Sequence, residues 1–290
     1  MLYIVATPIG NLGEITYRAV ETLKSVDAIL CEDTRRTAIL LRNYDIARPL
    51  VSYQKFSERE KCGYVIDRLK KGENLALVSD AGMPLISDPG KILVDELIKE
   101  NLEYTVVSGP CALVNAVVLS GMDTSAFCMV GFLPEKKIDR VRHVERFKDL
   151  TCTLIFYSPL HNVRSDLQFL FEQLGDRRFA VVREISKMHE EVVHGTLSDI
   201  PEFTEKGEFV IVIEGAKEKS SELCETSVVE HVEFYIASGL DKKDAIKKVA
   251  SERKVAKSLV YSEYEKKLEE RAGELYEFSK RNVARDVTQN

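Results

Sequence analysis

The chain has 290 residues, is 44% hydrophobic and 30% charged, and carries a formal net charge of -6 at pH 7. That balance suits a globular protein with core enough for one large or two ordinary domains, and it gives no global nucleic-acid signature. No apolar stretch approaches the roughly 18 residues of a membrane span and the sequence starts directly in a strand-like run, so a cytoplasmic protein without span or signal peptide is expected.

In chain order, the first 115 or so residues alternate strand-like and helix-like patterns, the rhythm of a parallel sheet. Leu2–Val5 runs into the turn Ala6–Gly13, and a helix follows over 16–25. A second strand covers 26–31, ending at Glu32-Asp33-Thr34-Arg35, with a helix through Ala38–Leu41 and an amphipathic one over 59–71 stopped by Gly72. Leu75–Val78 runs into Ser79–Pro84, and Ser87-Asp88-Pro89-Gly90 opens another helix. With Pro89 suited to the first helical position, Asp88 reads as an N-cap rather than a catalytic acid. Tyr104–Val107 then runs into Ser108-Gly109-Pro110.

A second α/β unit is expected over 113–216, richer in antiparallel signals. It holds a helix at 112–120, strands at 127–133, 153–157, 179–185, 192–197 and 209–214, and helices at 140–148 and 162–174. Residues 217–225 read as a polar linker. A helical extension over 226–290 follows, with helices at 227–238, 242–253 and 258–279 and a frayed tail.

Six cysteines without CxxC spacing and five histidines without metal-ligand spacing predict reduced, buried thiols and no metal site. The chemistry is expected at the turns. Short apolar runs without alternation predict strands buried on both faces, and open α/β sheets take ligands beyond the carboxyl ends of such strands. Four runs end this way, the fourth being Thr153–Tyr157 before Ser158-Pro159. Small residues there let a ligand approach the backbone closely. Neither GxGxxG nor GxxxxGK[ST] is present, which argues against a nucleotide pyrophosphate site of either usual kind.

These segments carry a resemblance. Leu2 to Thr16 (LYIVATPIGNLGEIT), Glu32 to Arg35 (EDTR), Leu77 to Gly90 (LVSDAGMPLISDPG), Ser108 to Ala112 (SGPCA), Gly131 to Pro134 (GFLP) and Arg183 to Lys187 (REISK) resemble, in collinear order, the ribosomal RNA small subunit methyltransferase I family. The resemblance implies two α/β domains of the tetrapyrrole methylase type, here 1–112 and 113–216, with S-adenosylmethionine in the cleft between them and usually a homodimer. It implies methylation of a cytidine ribose 2′-hydroxyl in the decoding region of 16S ribosomal RNA, with the small subunit or its RNA as partner. It also implies cofactor contacts at Pro8, Gly10, Ser79, Asp80, Ala81, Ile86, Cys111, Ala112 and Ser158.

Two other readings stay open: a methylase of tetrapyrroles or other small molecules, and a non-catalytic RNA-binding module. A ribose hydroxyl needs a base or a polarising cation, and Asp33, Arg35, Glu184 and Lys187 are the catalytic candidates. Arg35 could pin a phosphate bidentately. Asp33 could equally be a helix cap, Lys187 a solvated charge and Asp80 a turn residue. Residues 241–257 hold seven Lys/Arg against three acids, either an RNA-binding face or a solvated one. Tyr261 and Tyr264 could stack on bases or fill core.

Overall fold

A computed structural model describes residues 1–159, 162–217 and 223–270. The chain forms two compact units, Met1–Ala216 and Lys217–Asn290. Residues 218–222 of the expected linker, the end of the third C-terminal helix and the polar tail lie outside the described residues; residues 223–225 are helical.

The first sheet holds β1 (Leu2–Val5), β2 (Ala28–Cys31), β3 (Leu50–Ser52), β4 (Leu75–Leu77) and β5 (Tyr104–Val107), ordered β3-β2-β4-β1-β5 with every pair parallel. Its register sets Leu2 and Ala28 beside Leu75, and Ile4 and Leu30 beside Leu77. Those residues share one face and bury against α3 (Glu58–Lys70) and α4 (Lys91–Lys99) through Val65, Ile66, Leu69, Leu93 and Leu97. The other face, with Val5, Ile29, Cys31 and Ala76, packs on α1 (Tyr17–Ser25) and α2 (Thr34–Arg42) through Ala19, Leu23 and Leu41. Helices on both faces explain why these strands lack alternation.

Two expectations need correction. The Tyr104–Val107 run forms the sheet's edge, leaving Tyr104 and Val106 exposed. The strand β3 was not anticipated, being three residues long and directly after Pro49.

The second sheet has β6 (Phe127–Phe132), β7 (Thr153–Ser158), β8 (Arg178–Arg183), β9 (Glu191–Thr196) and β10 (Phe209–Ile213) in the order β6-β7-β10-β8-β9. Only β6 and β7 are parallel. One face packs on α6 (Lys137–Glu145) and α7 (Val163–Leu174), the other on α5 (Ala112–Ser120) through Ala116 and Val117. The helix α6 starts three residues earlier than expected and gives way to turns closed by the Phe147 and Leu150 amides. Ile9, from the turn after β1, packs in the same cluster as α5.

Asp88 does not cap α4. Its N-cap is Gly90, without a side-chain cap of its own. The buried Glu58 of α3 supplies the acceptor instead, its Oε1 receiving the Gly90 and Ile92 amides at 2.9 Å each. Truncating a buried acceptor exposes the full desolvation cost of its donors, so Glu58→Ala should destabilise the fold by about 1–3 kcal/mol. Glu58→Gln, which keeps a carbonyl oxygen, should lose less than half of that. Urea unfolding of both variants measures the difference, and equal losses would place the effect elsewhere.

In the second unit, α8 (Val228–Ala237) begins with a reciprocal Ser227–Glu230 capping box, and Asp241 caps α9 (Lys242–Glu252). A further helical stretch covers 257–270. Val232, Ile246, Val249, Val260 and Tyr264 are buried together, so Tyr264 is core, whereas Tyr261 is about half exposed. Buried His231 accepts from Arg253 Nε at Nδ1 (3.1 Å), which puts its ring proton on Nε2 facing Glu252 at 2.9 Å. Burial holds this imidazole below its ordinary range despite Glu252.

Candidate active site

The turns after β1, β4, β5 and β7 meet at one cleft. Thr7 exchanges backbone hydrogen bonds with Gly82: its amide donates to the Gly82 carbonyl (2.9 Å) and its own carbonyl accepts from the Gly82 amide (3.1 Å). The Thr7 hydroxyl also donates to the Ser79 carbonyl at 3.1 Å. Gly82 has φ +85°, a conformation that favours glycine, and a Cβ there would sit 3.1 Å from Ile9 Cγ2. The third turn lies just as close, since a Cβ on Gly109 would be 2.9 Å from that of Ala6.

The resulting cavity has a volume of about 480 Å³. Ile9 lines it from the first turn, Asp80 to Met83 from the second, Cys111 and Ala112 from the third, and Tyr157 to Pro159 from the fourth. Ile185 and Val210 add apolar wall from the second sheet. Ser158 is fixed from behind, its hydroxyl donating to buried Asp166 at 2.7 Å while Arg140 pairs with the same carboxylate. Tyr157 lies 5.2 Å from Phe132, ring centroid to centroid. Burial first, then the Cys111 and Asp88 charges, push its phenol up to about 12, so it stays protonated.

Of the nine residues expected to touch a cofactor, Asp80, Ala81, Ile86, Cys111, Ala112 and Ser158 line the cavity. Pro8 and Ser79 lie behind the wall, Ser79 donating to the Gly82 carbonyl at 3.1 Å. Gly10 is covered by the stem of Lys187, whose Cγ would come within 2.5 Å of an added Cβ.

The four catalytic candidates lie off the cavity wall. Asp33 caps α2, accepting the Arg35 amide at 2.8 Å, and the Arg35 guanidinium folds back onto it at 3.1 Å. Those hydrogen bonds hold the Asp33 carboxyl below its ordinary range. Lys187 Nζ donates to Glu184 (3.1 Å) and to Glu208 (2.9 Å), and Glu184 also accepts the Glu208 amide at 2.8 Å. Burial opposes charge on Glu184 and Lys187, but these bonds outweigh it, keeping the carboxyl low and the ammonium high. Glu208 itself reaches the wall.

Of the titratable side chains on the wall, Arg36, Asp88, Tyr157 and Glu208 are not among the expected cofactor contacts or catalytic candidates, Asp88 reading as a helix cap in the sequence. Arg36 stands one position beyond the candidate arginine, and its guanidinium pairs with Asp80 at 3.2 Å. Asp80 also accepts the Asp33 amide at 3.2 Å, tying the start of α2 to the second turn. Asp88 sits in a loop with Leu85 and Ser87 both at φ +71°, sparsely populated conformations that cluster at functional sites. Burial, with the Glu32 and Asp80 charges, pushes its carboxyl up to about 6. Among the described residues no group of three or more His, Cys, Asp or Glu is arranged to hold a metal ion.

The model of the family "Tetrapyrrole (Corrin/Porphyrin) Methylases" matches residues 1–201. The chain is 44% identical over 271 residues to "Ribosomal RNA small subunit methyltransferase I" of Halalkalibacterium halodurans, covering 91% of this chain and 94% of that one. The protein of the same name from Thermotoga maritima is 43% identical over 218 residues, which make up 98% of it and 74% of this chain. Among solved structures, uroporphyrin-III-C-methyltransferase from Thermus thermophilus shares the fold with a TM-score of 0.52 and 18% identity, over 73% of this chain and 93% of that one.

Proposed function

Because the chain belongs to the tetrapyrrole methylases and, among them, to the ribosomal RNA small subunit methyltransferase I family, we propose that it methylates the ribose 2′-hydroxyl of a cytidine in 16S ribosomal RNA, in the decoding region, using S-adenosylmethionine. The observation that carries this reading is the convergence of four strand-end turns on one cavity.

The cavity suits that methyl donor. Its wall bears three carboxylates, Asp80, Asp88 and Glu208, against one guanidinium, Arg36, an environment that favours a cationic ligand. Ile9, Ala81, Ala112, Ile185 and Val210 offer apolar surface for the uncharged parts, and the small residues of the turns expose backbone groups for hydrogen bonds. When bound, the donor supplies a methyl group activated on a sulfonium. The chain's own contribution is to orient an acceptor hydroxyl in line with that methyl, exclude water and remove a proton.

The relative from T. maritima holds hardly more chain than the unit Met1–Ala216, which supports placing the chemistry there; the second unit offers a surface for additional RNA contacts. Lys243, Lys247, Lys254 and Lys257 are exposed in that unit and form no ion pair among the described residues. Arg253 turns inward to the carbonyls of Leu223, Thr226 and Ser227, and Lys248 lies 4.3 Å over the Tyr235 ring. Replacing both Lys243 and Lys247 by Ala should reduce the slope of log affinity for RNA against log salt by about 2, with donor affinity unchanged. An unchanged slope would remove these lysines from the interface.

A homodimer is the expected assembly, and a cytoplasmic location follows from the substrate. Exposed Tyr104 and Val106 on the edge strand β5, with exposed Val114 and Val118 on α5, offer apolar surface for association. Incubation with methyl-labelled donor tests the reading. Label on RNA of small subunits, and none on a porphyrinogen, is the expected result. Label on the porphyrinogen would replace it with small-molecule methylation, and donor binding without transfer would leave a non-catalytic module.

A further inference from the structure

The geometry points to Asp88 as the group that accepts the proton of the ribose hydroxyl, presented to the cavity by the strained Leu85–Gly90 loop. This assignment rests on the methyl-transfer reading above and deepens it by naming the base.

The other two wall carboxylates are already engaged. Asp80 holds the Asp33 amide and the Arg36 guanidinium, and Glu208 is paired with Lys187. Off the wall, Asp33 is occupied by Arg35 and Glu184 by Lys187 and the Glu208 amide. Asp88 alone among the wall carboxylates forms no ion pair with a described residue. The Ser79 hydroxyl favours its charged form, but no cation among the described residues is paired with it.

The loop that carries it is over-determined. Leu85 and Ser87 take positive φ, and Gly90 has φ +130° with the Leu77 and Leu85 side chains filling the space where a Cβ would stand, at 2.9 and 2.7 Å. Glu58 clamps the far end by accepting the Gly90 and Ile92 amides. Local strain persists only where surrounding structure imposes it, and here it ends in a half-buried carboxylate at a cavity wall.

The electrostatic setting matches the task. Glu32 after β2 and Asp80 after β4 crowd Asp88 with negative charge, Lys55 before α3 opposes them, and the Tyr157 phenol lies across the cavity. A base works best when its affinity for protons is close to that of the medium, and burial with these neighbours raises Asp88 to about 6. The folded value exceeds the roughly 3.9 of an unfolded Asp. Ionised Asp88 is therefore a stability cost, full above pH 6 and gone below about 4.

The step balances as one proton transfer coupled to one displacement. The hydroxyl O–H bond breaks and its proton binds Asp88. The freed oxygen pair forms the bond to the methyl carbon as the carbon–sulfur bond breaks, its electron pair leaving the sulfur a neutral thioether. The carboxyl then releases its proton to water.

The test uses the full chain as wild type, Asp88→Asn and Glu32→Gln. Three quantities are read: single-turnover rate against pH at saturating donor and RNA, donor affinity by calorimetry, and side-chain carboxyl titration by carbon NMR without donor. Asp88→Asn should cut the saturated rate at least about 100-fold and flatten its rise through pH 6, with donor affinity within about threefold. Glu32→Gln should keep the plateau rate and move the rise to lower pH, because one neighbouring negative charge is gone. The NMR titration near pH 6 should vanish in Asp88→Asn and shift down in Glu32→Gln. A full saturated rate in Asp88→Asn, or a loss confined to donor affinity, would overturn the assignment while leaving the methyltransferase reading intact. Absence of transfer by the wild type would overturn both.

Discussion

Asp80→Arg should abolish donor binding, with calorimetric affinity falling by more than 100-fold and methyl transfer with it. Three effects add in one direction. The longer side chain enters a cavity of about 480 Å³ at the second turn, where Asp80 now lines the wall. It reverses a negative charge that favours a cationic ligand, and it sets two guanidiniums together where Arg36 now pairs with Asp80. It also removes the acceptor of the Asp33 amide, loosening the start of α2. Asp80→Asn, which keeps the size and one carbonyl acceptor, should lose less than about tenfold. Donor affinity near wild type in Asp80→Arg would mean that the ligand lies elsewhere.

The second large effect is expected at Arg36. The chemistry of a guanidinium singles out Arg35 in the sequence as a possible phosphate clamp, but that guanidinium folds back on Asp33 while Arg36 lines the cavity. A guanidinium on the cavity wall is suited to pair with an RNA phosphate, and reversing its charge would replace attraction by repulsion. Arg36→Glu should therefore lower kcat/KM for RNA by about 100-fold, roughly 2.7 kcal/mol of transition-state stabilisation. Donor affinity should be retained or improved, since the wall becomes more negative. Arg36→Lys should be intermediate, and Arg35→Glu should cost no more than about threefold, in line with a rim charge. Equal losses in Arg35→Glu and Arg36→Glu would show that both act through general attraction and that neither grips a defined phosphate.

Much of this arrangement was legible in the sequence. Glycine, alanine, serine and proline directly after apolar runs predicted backbone-lined turns, and all four turns line the same cavity. Strands β1, β2 and β4 announced themselves by lacking alternation, because helices cover both of their faces. The same pattern failed at β5, since a four-residue apolar run reads alike at the centre and at the edge of a sheet.

Asp88 was misread for a physical reason. Pro89 after it is a local capping signal, whereas the acceptor actually used comes from Glu58, 32 residues from Gly90 in sequence. Local rules cannot see such a partner. Arg35 and Arg36 differ by one step of helical phase, which decides which of them reaches the wall, and phase near a helix start is poorly fixed by sequence. Glu208 and Tyr157 are placed by pairings across the second sheet: Phe209, next to Glu208, stands opposite Ser158, next to Tyr157.

The most direct measurement is nucleoside mass spectrometry of 16S RNA after small ribosomal subunits lacking the modification are incubated with this protein and S-adenosylmethionine. One added methyl, recovered as 2′-O-methylcytidine, is the outcome required by a cavity that pairs a methyl donor with a ribose hydroxyl. A methyl group found on a base, or RNA left unchanged while the donor is bound, would contradict it.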